Sequence, residues 1–189
     1  AGGVIARAIA SGTRVTVIVL TDGDGSEPTA LLFAPGETGK KPSRDRRLPA
    51  KAFIAAGKER RKELEHAASR LGLPPDRLVE LGFPDGYLER LWTANWSHVS
   101  LTSPRTGRNH TPGGWETSVG SPRQQGDDTP AIPKPYAGLP YSGITLFSVL
   151  TTLIDSTCPD VLYVPAYRDL HPDHRAAFKF TMAALAATG

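Results

Sequence analysis

Residues 168–178 read "RDLHPDHRAAF", which places two histidines and two aspartates within the six residues from Asp169 to His174. An imidazole nitrogen is a good zinc ligand, and a ligating histidine usually needs a carboxylate or carbonyl on its other nitrogen to fix the tautomer. His171 and His174 stand three apart at the entry to an alanine-rich helix, so both rings can point into one cavity. Asp169 and Asp173 are the carboxylates available to them. Pro172 suits the first helical turn, where a missing N–H removes no intrahelical bond. The same residues admit a plainer reading, with Asp173 capping the helix and both histidines solvated. Two histidines and a carboxylate do not define a metal site, so spacing leaves both readings open.

Apolar runs precede this segment and two others like it. "TRVTVIVLTDGDG" carries Val15, Val17, Ile18, Val19 and Leu20 into Asp22 and Asp24, the pattern of a strand buried on both faces of a parallel sheet. "DRLVELGFPDG" predicts a short strand over 78–81, followed by a turn at Asp85. "DVLYVP", residues 160–165, predicts a third buried strand just ahead of Asp169. Open α/β sheets bind ligands at the carboxyl ends of their strands. Asp22, Asp24, Asp85 and the two histidines are therefore expected on one rim, with Asp22 and Asp24 among the substrate-binding residues.

Helices must separate those strands. Val4, Ile5, Ala8 and Ile9 share a helical face that stops at Gly12. Residues 51–72 carry a stripe of Phe53, Ile54, Leu64, Ala67, Ala68 and Leu71, closed by Gly72, Pro74 and Pro75. Within it "KERRKE", residues 58–63, reads as a solvated face. Ser142 caps a helix over 142–157 with Ile144, Phe147, Leu150 and Ile154 on one side, and a terminal helix spans 174–187. The alternation predicts an α/β, Rossmann-like, three-layer fold, a mainly parallel sheet with helices on both faces, in a single domain over 1–189. Residues 26–50 read as a long loop. Residues 100–140 lack periodicity and form an irregular insertion or a flap, with Trp115 a candidate for stacking on a sugar.

The chain of 189 residues, 39% of them apolar, is long enough for a real core. Its net charge of +3 is scattered, with clusters at 40–47 and 58–62, and makes no basic stripe, so no nucleic-acid partner is expected. No run is long and apolar enough for a membrane span. The single cysteine, Cys158, excludes an internal disulfide framework and fits a reducing, cytoplasmic setting. "AGGVIARAIASG" opens in helical rhythm without a charged-then-apolar leader, as though a preceding strand were left out.

"HPDHRAA" behind an apolar run resembles the C-terminal motif of the LmbE-like, or PIG-L, family of zinc-dependent N-deacetylases. "GGVIARAIASGTRVTVIVLTDGDG", "ERRKELEHAASRLGL" and "LGFPDGYL" resemble other segments of that family, in family order. The resemblance implies zinc as cofactor and His174 as one of its ligands. It implies that His171 stabilises or protonates the tetrahedral intermediate, with Asp173 orienting it, and that Arg60 and Asp85 contact the sugar. The substrate class implied is an N-acetylglucosamine-type sugar or glycoconjugate. The family's other zinc ligands and its general base lie in a His-Pro-Asp-Asp-Glu motif ahead of a Gly-Gly like Gly2-Gly3, and these residues do not include it. His66, His98 and His110 read as surface histidines and no substitutes. Two functions stay in play: a hydrolase that removes the acetyl group, represented here by an N-terminally incomplete domain, or a non-catalytic sugar- or nucleotide-binding module of the same fold.

Overall fold

The structure, a computed structural model, describes residues 2–34, 48–112 and 136–189. The basic cluster at 40–47, Trp115 and the middle of the 100–140 insertion lie outside the described residues. The elements run α1 (Gly2–Ala10), β1 (Val17–Thr21), α2 (Glu27–Leu31), α3 (Ala50–Arg70), β2 (Leu78–Phe83), α4 (Leu88–Thr93), α5 (Gly143–Thr157) and α6 (Pro172–Thr188). The described chain is thus α/β, with a small parallel sheet. It divides into two compact units: 1–85 with 102–108, and 86–101 with 109–189. No helix among the described residues is long and apolar enough to cross a membrane.

In the first unit β1 and β2 pair in parallel, Val17 opposite Leu78 and Ile18 opposite Val79. The register slips between Val19 and Thr21, which faces Phe83. Gly82, at φ +70°, supplies the backbone that a bulge there requires. β2 is almost wholly buried, while every residue of β1 is half-buried, less covered than its unbroken β-branched run predicts. Ile9, Val15, Val17, Val19 and Leu64 pack around Ala68, Leu73 and Leu78. A second cluster joins Ala30 and Ala34 to Ala52, Phe53 and Ala56. The expected loop over 26–50 therefore contains a helix: Ser26 accepts from the Thr29 N–H as its cap, with Pro28 in the first turn. α3 also buries Arg61 along the line of Phe53 and Gly57, so "KERRKE" is not a uniformly solvated face.

In the second unit α6 packs on α5 and α4. The core is Leu88, Leu91, Leu101, Tyr141, Leu146, Leu150, Leu153, Ile154, Ala176, Phe180 and Ala184. Ser142 caps α5 through the Thr145 N–H, as expected. The described ends of the insertion are irregular yet held: the Leu101 N–H donates to the Tyr141 carbonyl, and the Tyr141 N–H to the Asn109 carbonyl, at 2.8 and 2.9 Å. The predicted strand over 160–165 is absent. Val161 and Tyr163 are 66% and 79% exposed, and among the described residues no strand lies alongside. The residue types suit a strand, but a strand exists only through a laddered neighbour.

Gly143 sits where α5 meets the 91–96 backbone; an added Cβ would stand 2.5 Å from the Leu91 carbonyl oxygen and 2.8 Å from the Trp96 ring. Gly143→Ala should therefore destabilise by about 1–3 kcal/mol despite alanine's better helix propensity. Cys158 ends the same helix at φ +41°, a left-handed conformation that favours glycine. Cys158→Gly should be neutral or stabilising by up to about 1 kcal/mol. Urea denaturation of the two variants checks both signs, and a stabilised Gly143→Ala would contradict the packing described.

Candidate functional site

In the second unit the chemistry gathers at the start of α6. His171 is the cap of this helix: its Nδ1 accepts the Asp173 N–H at 3.3 Å. Asp173 is only 5% exposed, and its carboxylate accepts the Gly86 N–H at 2.5 Å and the Leu88 N–H at 3.0 Å. Tyr87, the residue capping α4, lends no side chain to that helix. Asp173 does so from α6, satisfying donors that a helix start leaves open. The plainer expectation, Asp173 as cap of its own helix, is corrected: Asp173 caps α4 and His171 caps α6.

Asp169 organises the other histidine. One carboxylate oxygen accepts the His171 N–H at 2.8 Å, and the other lies 3.1 Å from His174 Nδ1. The His171 N–H, and after it the His174 side chain, hold the Asp169 carboxyl below the usual carboxylate range. The two imidazole centroids are 4.8 Å apart. Both Nδ1 atoms are thus committed, one to a backbone N–H and one to a carboxylate. Among the described residues neither Nε2 has a protein partner. His174, with a carboxylate on Nδ1, has the surroundings of a metal-ligating histidine. It fits one corner of a site only: among the described residues no three His, Cys, Asp or Glu side chains are placed to hold a metal.

In the first unit the loop after β1 converges with the turn after β2. Asp22 accepts from Arg61 Nη2 at 2.5 Å, and Arg61 Nε lies 3.2 Å from Glu80, all three largely buried. Asp24 accepts the Asp85 N–H at 3.1 Å, and Asp85 in turn accepts the Gly25 N–H at 3.0 Å. Thr21 Oγ1 donates to the other Asp85 oxygen at 3.4 Å, and Arg105 donates to the Asp85 carbonyl at 3.2 Å. The close approach needs Gly25, whose Cβ would stand 2.5 Å from the Asp85 carboxylate. Arg60, half exposed, pairs with Glu63, and its stem lies 3.5 Å from where a Gly23 Cβ would be. Asp22, Asp24, Asp85 and Arg60 therefore come together, whereas Asp169–His174 belong to the other unit. His66, His98 and His110 are exposed.

Sequence reasoning missed three residues. Arg61 was legible in its four-residue spacing from Gly57 on a buried line, had its charge not suggested solvent. Arg175 and Glu89, which meet through both carboxylate oxygens at 3.2 and 3.0 Å, are 86 positions apart and carry no local signal.

Burial pushes the Asp24 carboxyl up from 3.8 to about 6, helped by the charges of Asp22 and Asp85 and opposed by the Asp85 N–H and Arg108. A raised acid binds its proton more tightly in the folded state, so stability should fall as pH climbs from about 4 to about 6. The loss is complete above that window and amounts to about 3 kcal/mol. Asp24→Asn keeps an acceptor for the Asp85 N–H without the charge. It should be the more stable protein above pH 6 and lose that advantage below about pH 4. Urea unfolding across this range checks it; a pH-independent gap between the two proteins would refute the assignment.

No curated protein and no solved structure matches the chain. The family described as PIG-L, GlcNAc-PI de-N-acetylase, matches residues 1–185. With the paired histidines of α6 and the acidic loops of the first unit falling inside a match of nearly full length, the chain belongs to the PIG-L family of deacetylase-type hydrolases.

Proposed function

We propose that the protein is a zinc-dependent amide hydrolase that removes the acetyl group from an N-acetylglucosamine-type sugar or glycoconjugate, in the reducing, cytoplasmic setting that a single cysteine fits. The observation that carries this is the histidine pair at the start of α6, each ring held at Nδ1 and each with Nε2 left for chemistry. The parallel pairing of β1 with β2 supports a Rossmann-like, three-layer arrangement for the whole.

His171 accepts a backbone N–H at Nδ1, so in its neutral form the ring proton sits on Nε2. That N–H can donate to the acetamide oxygen as negative charge builds there in the tetrahedral intermediate. Asp173 serves this role by position: it contributes the N–H that orients the ring, while its buried carboxylate anchors the first turn of α6 to α4. His174, with Nδ1 toward Asp169, presents the Nε2 lone pair that a zinc ion would take. Bound zinc would polarise the acetamide carbonyl and acidify a water. The described residues do not complete its ligand set, and the roles given to His171, Asp173 and Asp169 do not depend on it. In the first unit Arg60 is exposed enough to reach a sugar hydroxyl. Asp22, Asp24 and Asp85 act on the substrate through the loop they hold in shape.

The test is acetate release from an N-acetylglucosaminyl conjugate, run beside zinc titration by equilibrium dialysis. His174→Ala should weaken zinc binding at least about tenfold. His171→Ala should keep zinc binding and lose about 100-fold or more in kcat with little change in KM. Unchanged zinc affinity in His174→Ala would remove it from the ligand set. Unchanged kcat in His171→Ala would return that residue to a helix cap.

A further inference from the structure

The Asp169–His174 pair sits in a segment whose local ties are two hydrogen bonds, from the His171 N–H to the Asp169 carboxylate at 2.8 Å and from the Asp169 N–H to the Ala166 carbonyl at 3.0 Å. Leu170, the joint between Asp169 and the start of α6, is 96% exposed, so no packing fixes its backbone angles. Arg175 adds a constraint from the first turn of the helix. Its Nη1 donates to the carbonyl oxygens of Asp169 and of Leu170, each at 3.1 Å. Those two carbonyls flank the φ and ψ of Leu170, and pinning both freezes the joint. The other terminal guanidinium nitrogen, Nη2, reaches both carboxylate oxygens of Glu89 on α4, at 3.2 and 3.0 Å. Only a guanidinium offers donors along separate edges at fixed angles; a lysine is a single point of charge and cannot serve two carbonyls and a carboxylate at once.

We propose that Arg175, braced by Glu89, is a positioning residue that acts through Asp169 to set the tautomer of His174, with the proton on Nδ1 and the lone pair on Nε2. The carboxylate has no proton to give, and one of its oxygens is already taken by the His171 N–H. The oxygen facing His174 can therefore only accept, and Nδ1 must carry the hydrogen. This holds only while the Asp169 side chain stays where the frozen Leu170 joint puts it. The consequence for function rests on His174 being the zinc ligand proposed above, but the tautomer belongs to the protein alone and is measured without metal.

The experiment is 15N NMR of the imidazole nitrogens in the full 189-residue chain, stripped of metal, at about pH 8.5 where imidazoles are neutral. The His174 signals are assigned by their loss in His174→Gln. In the parent protein Nδ1 should show the protonated shift and Nε2 the unprotonated one. Asp169→Asn should exchange them: the amide oxygen still accepts from the His171 N–H, and its NH2 now faces Nδ1 as a donor. Arg175→Gln and Arg175→Lys should each move both nitrogens toward averaged, mixed-tautomer shifts, with thermal midpoints recorded alongside. If an Arg175 variant does not fold, Glu89→Gln, which weakens the same brace while keeping its shape, takes its place. A parent-like tautomer in Asp169→Asn overturns the proposal. Exchange in Asp169→Asn with parent-like shifts in every folded Arg175 and Glu89 variant overturns the role of Arg175. A zinc titration of Asp169→Asn separates the two layers. Inverted shifts with a tenfold or greater loss of zinc affinity support both, whereas inverted shifts with unchanged affinity support the tautomer assignment and remove His174 from the metal.

Discussion

A carboxylate can be buried only if its oxygens are given hydrogen bonds, and Asp173 meets that demand with the backbone of another helix. Its two acceptors close the start of α4, and its own N–H closes the side-chain cap of His171 on α6. One residue thus ties two helix starts together, and the orientation of the first histidine follows from that tie. Arg175, two positions on, adds a second bond between the same helices through Glu89. The α6 face below these ties is apolar, with Ala176, Phe180 and Ala184 fully buried, and Phe180 stacks on Trp96 at 5.8 Å. The polar ties set the register of the helix end, and the apolar face holds the helix down.

The first unit applies the same logic to its loops. Asp22, Asp24 and Asp85 look like an exposed acidic rim when written as a sequence, yet their side chains turn into the structure. Asp22 neutralises a buried arginine, and Asp24 and Asp85 accept backbone N–H groups from each other's turns. Such carboxylates shape the loops that carry them. Concentrating three acids is tolerated because Arg61, Arg105 and Arg108 lie among them. The elevated Asp24 carboxyl is the residue of that tension, since desolvation outweighs the hydrogen bond it receives.

The two histidines also show how alike side chains three residues apart acquire different chemistry. His171 has an N–H donor at Nδ1 and His174 a carboxylate acceptor, so the neutral rings hold their protons on opposite nitrogens. One Nε2 is then a donor and the other a lone pair. An amide hydrolase needs both kinds of group near a carbonyl: a donor for the oxygen, and a base or metal ligand for the water. The difference is imposed by the neighbours and not by the rings themselves.

What the sequence determined by itself was local. Helix bounds came from apolar spacing and terminators: α5 with its Ser142 cap, α3 closed just ahead of Gly72, and α6 entered through Pro172. So did the two strands that pair in parallel, and the motif HPDHRAA with its order of companion segments, which the family match over 1–185 bears out. These features depend on periodicity and on the conformational limits of glycine and proline, which act over a few residues. Only the tertiary structure decided that 160–165 is not a strand among the described residues, because pairing requires a neighbour that composition does not name. It also decided that Arg61 is buried against Asp22 and Glu80, that Asp173 caps α4, and that Arg175 grips Glu89. A side chain of one type can be a solvated charge, a cap or an ion-pair partner, and which it becomes depends on groups far away in the chain that folding brings within 3 Å or so.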